Sequence, residues 1–208
     1  MSNTSQSPRR LIVGITGATG IIFGIHALRV LRDQDIETHL VVSRAGDMTR
    51  ALETDMSREE LYALADHVHP INDVGASIAS GSFKTMGMLI APCSVRSLAE
   101  VSTGVTTTLL TRAADVVLKE RRTLVMMVRE APLHAGHLRN MLTATEMGAI
   151  IHPPVPAFYT HPKTIEDLVD HALGRALECF GIEMPNMQRW GEQTSAKHEL
   201  PRQFKSKR

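Results

Sequence analysis

The sequence predicts a single α/β domain built on a doubly wound parallel sheet. Short apolar runs at 11–15, 87–91 and 124–128 are typical of strands that are buried on both faces of a parallel sheet. Segments in which apolar residues recur at helical spacing separate these runs, so strands and helices alternate along the chain. Such connections are right-handed crossovers, which favours one sheet of Rossmann or flavodoxin type.

The individual elements follow from periodicity, capping patterns and turn residues. Strands are predicted at residues 11–15, 38–42, 87–91, 124–128 and 149–151. Helices are predicted at about 21–33, 45–52, 94–104, 111–121, 134–147 and 164–180. A capping-box pattern that begins at Ser57 starts a further helix, while the Gly/Ser/Ala-rich segment 72–83 and the Pro-rich segment 153–162 are predicted to be loops.

Composition and the ends of the chain limit the classes of function. Residues 1–8 are predicted to be disordered, residues 9–182 to form the domain, and residues 183–208 to form an arm with a basic tail. A formal net charge of +1 over 208 residues argues against a nucleic acid or a membrane surface as partner. The 2 cysteines make neither a disulfide framework nor a zinc set, and no apolar run reaches membrane-spanning length. The polar N-terminus lacks the apolar core of a signal peptide, so we expect a cytoplasmic protein.

A glycine-rich turn after the first strand is predicted to bind phosphate. Gly17 and Gly20 lie between this strand and the next helix, and backbone N–H groups at such a helix start bind anions. The hydroxyl groups of Thr16 and Thr19 are expected to add donors. The turn does not fit a dinucleotide fingerprint, because Phe23 stands where a third glycine is expected.

The ends of two further strands bear on the identity of the nucleotide. After the second strand, Ser43 and Arg44 stand where NAD enzymes place an acidic residue on the ribose. NAD is therefore disfavoured, while NADP, with Arg44 on its 2′-phosphate, stays open. Ser94 and Ser97 follow another strand and begin a helix, so they are a second candidate site for phosphate or ribose. Helix capping by Ser94 is the simpler explanation of that serine taken alone.

A cysteine nucleophile and a metal centre are both disfavoured. Cys93 precedes a helix start, which lowers a thiol pKa, but Pro92 and an apolar strand flank it and favour packing. The 10 histidines show no spacing that is typical of a metal site. His134 and His137 are assigned to packing or to the surface. We therefore predict that no metal is bound.

Charged and aromatic residues from several segments are candidates for a second anion site. Arg129 and Glu130 follow directly on the strand at 124–128, where open α/β sheets place their ligands. The other candidates are Lys119, Tyr159, Arg175 and Trp190. Together the cations could clamp an anion, with bidentate arginine geometry and a tyrosine hydroxyl as donors. The tryptophan either anchors the arm to the domain or a neighbouring subunit, or covers an electron-poor centre.

Nine short motifs are spread over nearly the whole chain. They are TGATG (16–20), VVSRA (41–45), ETD (53–55), ASGS (79–82), APCS (91–94), RAADVVLKERR (112–122), REAP (129–132), FY (158–159) and RWGE (189–192). In these motifs the chain resembles the UbiX-type flavin prenyltransferases, a family that includes accessory subunits of aromatic-acid decarboxylases. The central run that leads to REAP is far more specific than the glycine turn.

The resemblance implies a ligand and a reaction. It implies FMN as the cofactor and a flavoprotein domain over residues 9–182. In the implied reaction, a dimethylallyl group from dimethylallyl monophosphate is joined to N5 and then to C6 of reduced FMN. The prenylated FMN then passes to a UbiD-type decarboxylase. The family forms dodecamers, so a homo-oligomer is expected.

The same resemblance implies roles for particular residues. FMN contacts are implied for Gly17, Ala18, Thr19, Ser43, Ser94, Val95, Arg96, Ser97, Arg112 and Arg129. Contacts with the prenyl phosphate are implied for Lys119, Arg129, Glu130, Tyr159 and Arg175. Catalytic roles are implied for Thr19, Glu53, Lys119, Glu130 and Trp190. In this scheme Glu53 handles the N5 proton and Trp190 covers the prenyl group.

Two other functions stay open. An FMN-dependent cysteine decarboxylase would share the fold and the cofactor. It relies on a catalytic histidine and an Asn-containing loop, however, where this chain has Ala-Ser-Gly-Ser at 79–82. A non-catalytic FMN carrier for a decarboxylase is the second alternative.

Overall fold

The protein, seen here in a computed structural model that describes residues 9–185 and 187–191, has a parallel sheet with helices on both faces. Its strands are β1 (Arg10–Ile15), β2 (Glu37–Val42), β3 (His67–His69), β4 (Gly87–Cys93), β5 (Thr123–Val128) and β6 (Ile150–Ile151). Its α-helices are α1 (Ile21–Asp33), α2 (Arg44–Glu53), α3 (Arg58–Tyr62), α4 (Val95–Thr103), α5 (Leu109–Lys119), α6 (Ala135–Glu146) and α7 (Ile165–Glu178). The predictions for residues 1–8 and for the tail from 192 onwards lie outside the described residues.

The strand order is β3-β2-β1-β4-β5-β6, and every neighbouring pair is parallel. This is the order of the doubly wound Rossmann sheet, whereas flavodoxin sheets run 2-1-3-4-5. The predicted fold class is confirmed, and the order decides between its two variants. The direction of winding changes between β1 and β4, and ligands of such sheets bind at the carboxyl ends of the strands at this point.

Side chains that alternate along the strands supply two cores, one on each face of the sheet. Leu11 and Val13 of β1 point to the face that α1 and α7 cover, and Ile12 points to the face that α4, α5 and α6 cover. All three side chains are at most 2% exposed. Because both faces are covered there, β1, β4 and β5 are almost wholly apolar, and this pattern made them recognisable in the sequence.

The predicted elements differ from the structure mainly at their ends and at one strand. β3 was not predicted, because its three residues, His-Val-His, carry no apolar run. Helix α5 begins at Leu109, earlier than predicted, since Thr108 forms a capping box with Thr111. The predicted capping box at Ser57 is confirmed. Short 3-10 helices, Ser77–Ala79 and Phe158–Thr160, lie within the two predicted loops.

The described residues of the predicted arm pack against the domain. The side-chain amide of Gln34 donates to the carbonyl oxygen of Glu183 at 2.7 Å. A Cβ atom at Gly174 of α7 would lie 2.4 Å from the Met187 sulfur, so this glycine lets the arm approach the helix closely. The boundary between domain and arm at residue 183 stays a prediction. Among the described residues, no helix combines the length and the apolar character that a membrane span requires.

Candidate functional site

Polar loops converge at the carboxyl edge of the sheet, on both sides of the switch point. The loops after β2, β1, β4 and β5 begin at Ser43, Thr16, Ser94 and Arg129, and these four strands are neighbours. Because all of them are parallel, their carboxyl ends lie at one edge. The structure therefore brings together the glycine turn, both serine-led helix starts and the REAP segment, as the sequence predicts.

The glycine turn after β1 is shaped by close contact with α2. A Cβ atom at Gly17 would lie 2.3 Å from the Ala45 Cβ atom, so no larger residue fits without moving α2. Gly20 is the N-cap of α1 and has φ 100°, a left-handed conformation that favours glycine. The turn has no side-chain cap of its own. Its exposed amides need a partner from elsewhere in the chain.

Glu53, the last residue of α2, supplies that partner. Its Oε2 atom accepts hydrogen bonds from the backbone N–H groups of Gly20 at 2.9 Å and Ile21 at 3.0 Å. The prediction that the N–H groups at this helix start bind phosphate is therefore wrong for these two, which are bonded to a carboxylate. A carboxylate is a favourable partner for the positive end of α1.

The surroundings of Glu53 favour its ionised form. Partial burial opposes ionisation. The carboxylate accepts hydrogen bonds from the Thr19 hydroxyl and from the two amides, and these bonds outweigh the effect of burial. The charge of Arg129 acts in the same direction, so the pKa of the Glu53 carboxyl lies below its ordinary value. The expected proximity of Glu53 to Thr19 is thus present, and Arg129 is close enough for its charge to act on the carboxylate.

Thr16 joins the loops on the two sides of the switch point. Its hydroxyl donates to the Pro92 carbonyl oxygen at 2.9 Å and accepts from the Ser94 N–H at 2.7 Å. The residue is 1% exposed. The expectation that this hydroxyl serves a phosphate is wrong, because it is buried and already bonded at both ends. No pattern in the sequence separates its role from that of the nearby Thr19.

The serines at the edge begin helices. The Ser43 side chain accepts from the Gly46 N–H at 3.0 Å, and the Ser94 side chain accepts from the Ser97 N–H at 3.2 Å. The simpler explanation of Ser94 is therefore confirmed. Next to it, Arg96 is paired with Glu100 at 2.9 Å, and its side chain is 82% exposed. This guanidinium is able to swing towards a ligand at little cost, because surface pairs of this kind contribute little.

The REAP segment is fixed to the neighbouring strand. The Arg129 N–H donates to the carbonyl oxygen of Cys93, at the end of β4, at 3.0 Å. The Glu130 carboxylate accepts from the Ala131 N–H at 3.0 Å. Arg112, near the start of α5, pairs with Asp115 at 2.7 Å and is about one-third exposed. The segment thus presents a cation and a carboxylate on a backbone that is hydrogen-bonded to the end of β4, beside the switch point.

Lys119 is a predicted site residue that lies at the opposite edge of the sheet. It ends α5 and precedes β5, so it lies at the amino edge of the sheet, where it pairs with Glu120. The six residues of β5 separate the two edges by about 20 Å. A shared pocket for Lys119 and Arg129 within a single chain is therefore wrong. The predicted strand at 124–128 already implies this separation, since Lys119 precedes the strand and Arg129 follows it.

Tyr159 and Trp190 form a group around α7. The Tyr159 hydroxyl is 3.0 Å from the Nε2 atom of His171, and its ring packs edge-on against Trp190 with centroids 5.3 Å apart. Trp190 is 80% exposed. The expected contact of the arm with the domain at this tryptophan is present, and the indole face is open.

Arg175 and Arg189 share one carboxylate on α7. Arg175 pairs with Glu178, and Arg189 pairs with the other oxygen of the same group at 2.7 Å. The charge of Arg175 also reaches His152, the residue directly after β6. Burial lowers the pKa of His152 most, and Arg175 lowers it further. The charge of Arg175 therefore acts on the end of β6, while its guanidinium is paired with Glu178.

Two other features do not belong to the site. Cys93 is fully buried, and burial raises the pKa of its thiol, so packing rather than nucleophilic chemistry is its role. A cavity of about 680 Å³ lies between α7, the loop before it and the arm. None of the predicted site residues lines this cavity.

The fold and the edge together define a nucleotide-binding α/β protein with a Rossmann-type sheet. Comparisons with known proteins agree and are more specific. Residues 1–177 match the family model described as flavoprotein. The flavin prenyltransferase UbiX of Neisseria meningitidis serogroup B is 59% identical over 182 residues, which cover 88% of this chain and 96% of the relative.

Solved structures extend the similarity to three dimensions. A UbiX in complex with FMN and dimethylallyl pyrophosphate has a TM-score of 0.87 and 48% identity, with 88% of this chain and 98% of that chain covered. A dodecameric FMN-dependent UbiX-like decarboxylase from Escherichia coli O157:H7 has a TM-score of 0.85 and 49% identity, with 87% and 98% covered. The chain therefore belongs to the UbiX-type flavin prenyltransferases, within the flavoprotein family.

This membership decides between the alternatives that the sequence left open. The FMN-dependent cysteine decarboxylase TvaF has a TM-score of 0.60 at only 12% identity, so it shares the fold alone. The chain is a transferase of the flavin prenyltransferase family, so NADP is excluded as its cofactor. Arg44, which that alternative required, is exposed at the start of α2.

Proposed function

We propose that the protein joins the dimethylallyl group of dimethylallyl monophosphate to N5 and C6 of reduced FMN, with release of phosphate. The prenylated FMN would pass to a UbiD-type decarboxylase in the cytoplasm. The observation that carries this proposal is the placement of Glu53, Thr19 and Arg129 together at the switch point of the sheet. There a polar carboxylate and a cation face the position that a nucleotide takes in this fold.

The donors at the carboxyl edge fit FMN. Hydroxyl groups and cations suit its phosphate and the polar rim of its ring, and an ionised carboxylate suits a ring N–H group. The residues that would hold it are Gly17, Ala18, Thr19, Ser43, Ser94, Val95, Arg96, Ser97, Arg112 and Arg129. When bound and reduced, FMN supplies the electron-rich nitrogen and carbon that are alkylated.

Glu53 and Thr19 are suited to handling a proton. The two α1 amides hold the carboxylate in place, and its lowered pKa keeps it ionised near neutral pH. The Thr19 hydroxyl, in the turn that follows β1, donates to this carboxylate. The pair can therefore accept a proton at a fixed position and pass it through a hydroxyl.

Cations and hydroxyls around α7 and REAP are suited to the leaving phosphate. Arg129 and Arg175 each offer a planar fork of donors that matches a phosphate. Tyr159 offers a hydroxyl that His171 orients, and Glu130 shapes the backbone of the same segment. Donors aimed at the departing dianion lower the barrier for breaking its bond to the allyl group.

The indole of Trp190 is suited to covering the prenyl group. Its exposed face is held edge-on by Tyr159, so an aromatic surface lies beside the proposed phosphate donors. Such a face stabilises a delocalised cation without a metal.

Lys119 is proposed to act on a site of a neighbouring chain. Its position at the amino edge excludes it from the site of its own chain. In an oligomer that places the amino edge of one chain against the carboxyl edge of another, Lys119 of the first chain would reach the phosphate site of the second. A related protein of 49% identity is dodecameric, which supports a homo-oligomer here.

A single anaerobic incubation tests the activity. The protein is mixed with FMN, a reductant and dimethylallyl monophosphate, and in parallel with the diphosphate. We expect mass spectrometry to show flavin enlarged by one dimethylallyl unit, and an assay to show one phosphate released per flavin. Unchanged flavin with both prenyl donors would indicate a non-catalytic FMN carrier. Decarboxylation of a cysteine-containing substrate would favour the rival family.

Two variants separate the prenyl-phosphate site from the FMN site. We expect Lys119→Ala and Arg175→Ala to lose prenylation, by about 100-fold or more if each stabilises the leaving phosphate, and to keep FMN affinity. Lys163→Ala removes a cation near α7 that has no role in the proposed site and should retain activity. Loss of FMN binding in either test variant would contradict this division.

A further inference from the structure

A glutamate and three histidines share one face of β2 and β3, at the amino edge of the sheet. His39 pairs in register with His67, and Val41 pairs with His69. Because side chains alternate along a strand, Glu37 and His39 point to the same side of β2, and His67 and His69 point to that side of β3. This group lies at the opposite end of β2 from Ser43 and so is separate from the proposed catalytic site.

The donor atoms of this group lie close together. Glu37 Oε1 is 3.0 Å from His39 Nε2 and 3.3 Å from His67 Nε2. One ligand atom from each of the three residues lies within 4.8 Å of the others. Two ligands of a tetrahedral zinc ion, with bonds of about 2.0–2.1 Å, are about 3.3 Å apart. The side chains thus need only small shifts to share one ion.

Neighbouring groups hold these ligands in the orientation that a metal requires. The second carboxylate oxygen of Glu37 accepts from the Arg10 guanidinium at 2.9 Å, which leaves Oε1 towards the histidines. His39 Nδ1 is 2.9 Å from His69 Nε2, so the ring can keep this bond while Nε2, which now faces Glu37 Oε1 at 3.0 Å, binds an ion placed between them. Metal-binding histidines regularly bond their second ring nitrogen in this way. The Phe83 ring packs edge-on against His39 at 5.0 Å and closes the inner side.

The cluster is open to solvent on one side only. His39 is 3% exposed, whereas the His67 side chain is 53% exposed. An ion can therefore enter past His67, and water can fill the fourth position. The histidine spacing along the chain predicts no metal, but strand pairing brings these ligands together. We propose that Glu37, His39 and His67 bind one divalent transition-metal ion of the zinc type, which links β3 to β2. β3 has only three residues and lies at the edge of the sheet, so such a link would stabilise its pairing.

Zinc binding to the tag-free, full-length protein tests this proposal. We expect calorimetric titration with Zn²⁺ to show one saturable site per chain, and Tm to rise with Zn²⁺ because the ion binds the folded state. Co²⁺ in the same protein should give the intense visible absorption of four-coordinate cobalt. Absence of saturable Zn²⁺ binding, or binding without a rise in Tm, would overturn the proposal.

Matched variants locate the ion. His67→Ala and Glu37→Gln should each weaken Zn²⁺ binding by about tenfold or more and abolish the rise in Tm. His67 is more than half exposed, so its replacement should leave the metal-free fold intact. His161→Asn is the control, because His161 is exposed, lies outside the cluster and has φ 52°, which asparagine tolerates. Wild-type affinity in the His67→Ala protein would refute the assignment.

Discussion

Glu53 performs two tasks with one carboxylate. It bonds the exposed amides at the start of α1, and it places a negative charge beside Thr19 and within reach of Arg129. A helix start that carries glycine instead of a side-chain cap usually leaves its amides to water or to a ligand. Here the end of α2 provides the cap, so stability and the proposed proton transfer depend on the same group.

Replacing Glu53 should show how much its carboxylate stabilises the start of α1, because this stabilisation depends on pH. At pH 7, Glu53→Gln should lower the free energy of unfolding by about 1 kcal/mol, the cost of a lost N-terminal cap. The folded-state pKa of Glu53 lies below its unfolded value of about 4.3. The stabilisation is therefore complete above that unfolded value and is lost as the pH falls through the folded one.

Urea unfolding of wild type and variant between pH 7 and pH 3 measures this difference. Glu166→Gln removes an exposed first-turn carboxylate of α7 and serves as the control for a general effect of charge at a helix start. A difference between wild type and Glu53→Gln that stays constant down to the lowest pH would show that ionised Glu53 does not stabilise the helix.

Close contacts join neighbouring loops and helices at the carboxyl edge. Gly17 lies against Ala45 of α2, and Thr16 connects the loops after β1 and β4. The positions of these loops depend on each other, because each one contributes to the backbone hydrogen bonds or the packing of the next. These contacts fix where the loops of the edge lie relative to one another.

A single added methyl group tests this packing. Gly17→Ala places a Cβ atom 2.3 Å from that of Ala45, so α2 must move, and we expect a loss of about 1–3 kcal/mol in the free energy of unfolding. Because Glu53 ends α2, FMN binding should weaken as well. Gly75→Ala is the control, since its new Cβ atom would meet only Asp73 at an ordinary 3.5 Å. Equal stability of the two variants would show that the turn has more space than its contacts indicate.

The location of Lys119 raises a question about the whole molecule. A residue that the family motif assigns to the phosphate group lies at the opposite edge of the sheet from Arg129. One chain cannot unite them without unfolding β5. Contact between two copies can, and closed homo-oligomers repeat such a contact at every interface.

Mixing two inactive variants tests whether sites are shared between chains. Lys119→Ala and Arg129→Ala should each be inactive, and hetero-oligomers of the two should recover activity in about a quarter of the sites, where both residues are intact. Co-expression with two different affinity tags allows such hetero-oligomers to be isolated. A mixture of Lys119→Ala with Lys119→Met is the control and should stay inactive. Failure of purified hetero-oligomers to recover activity would place Lys119 outside the site.

Local patterns in the chain determined the fold class, most of the elements and the family. Apolar runs and helical spacing are recorded within each segment, because a strand buried on both faces or an amphipathic helix leaves its period in its own residues. Motifs such as REAP likewise lie within one segment, and they led to FMN and to a prenyl donor. Strand β3 was not predicted, because a strand of three residues, two of them histidines, is too short and too polar to show a period.

Contacts between distant segments were decided only by the tertiary structure. The bond from Glu53 to α1, the hydrogen bonds of buried Thr16 and the histidine pairing of β2 with β3 all depend on how the elements pack and on strand order and register. Order and register result from the packing of the whole domain, so they leave no trace in the residues of a single segment.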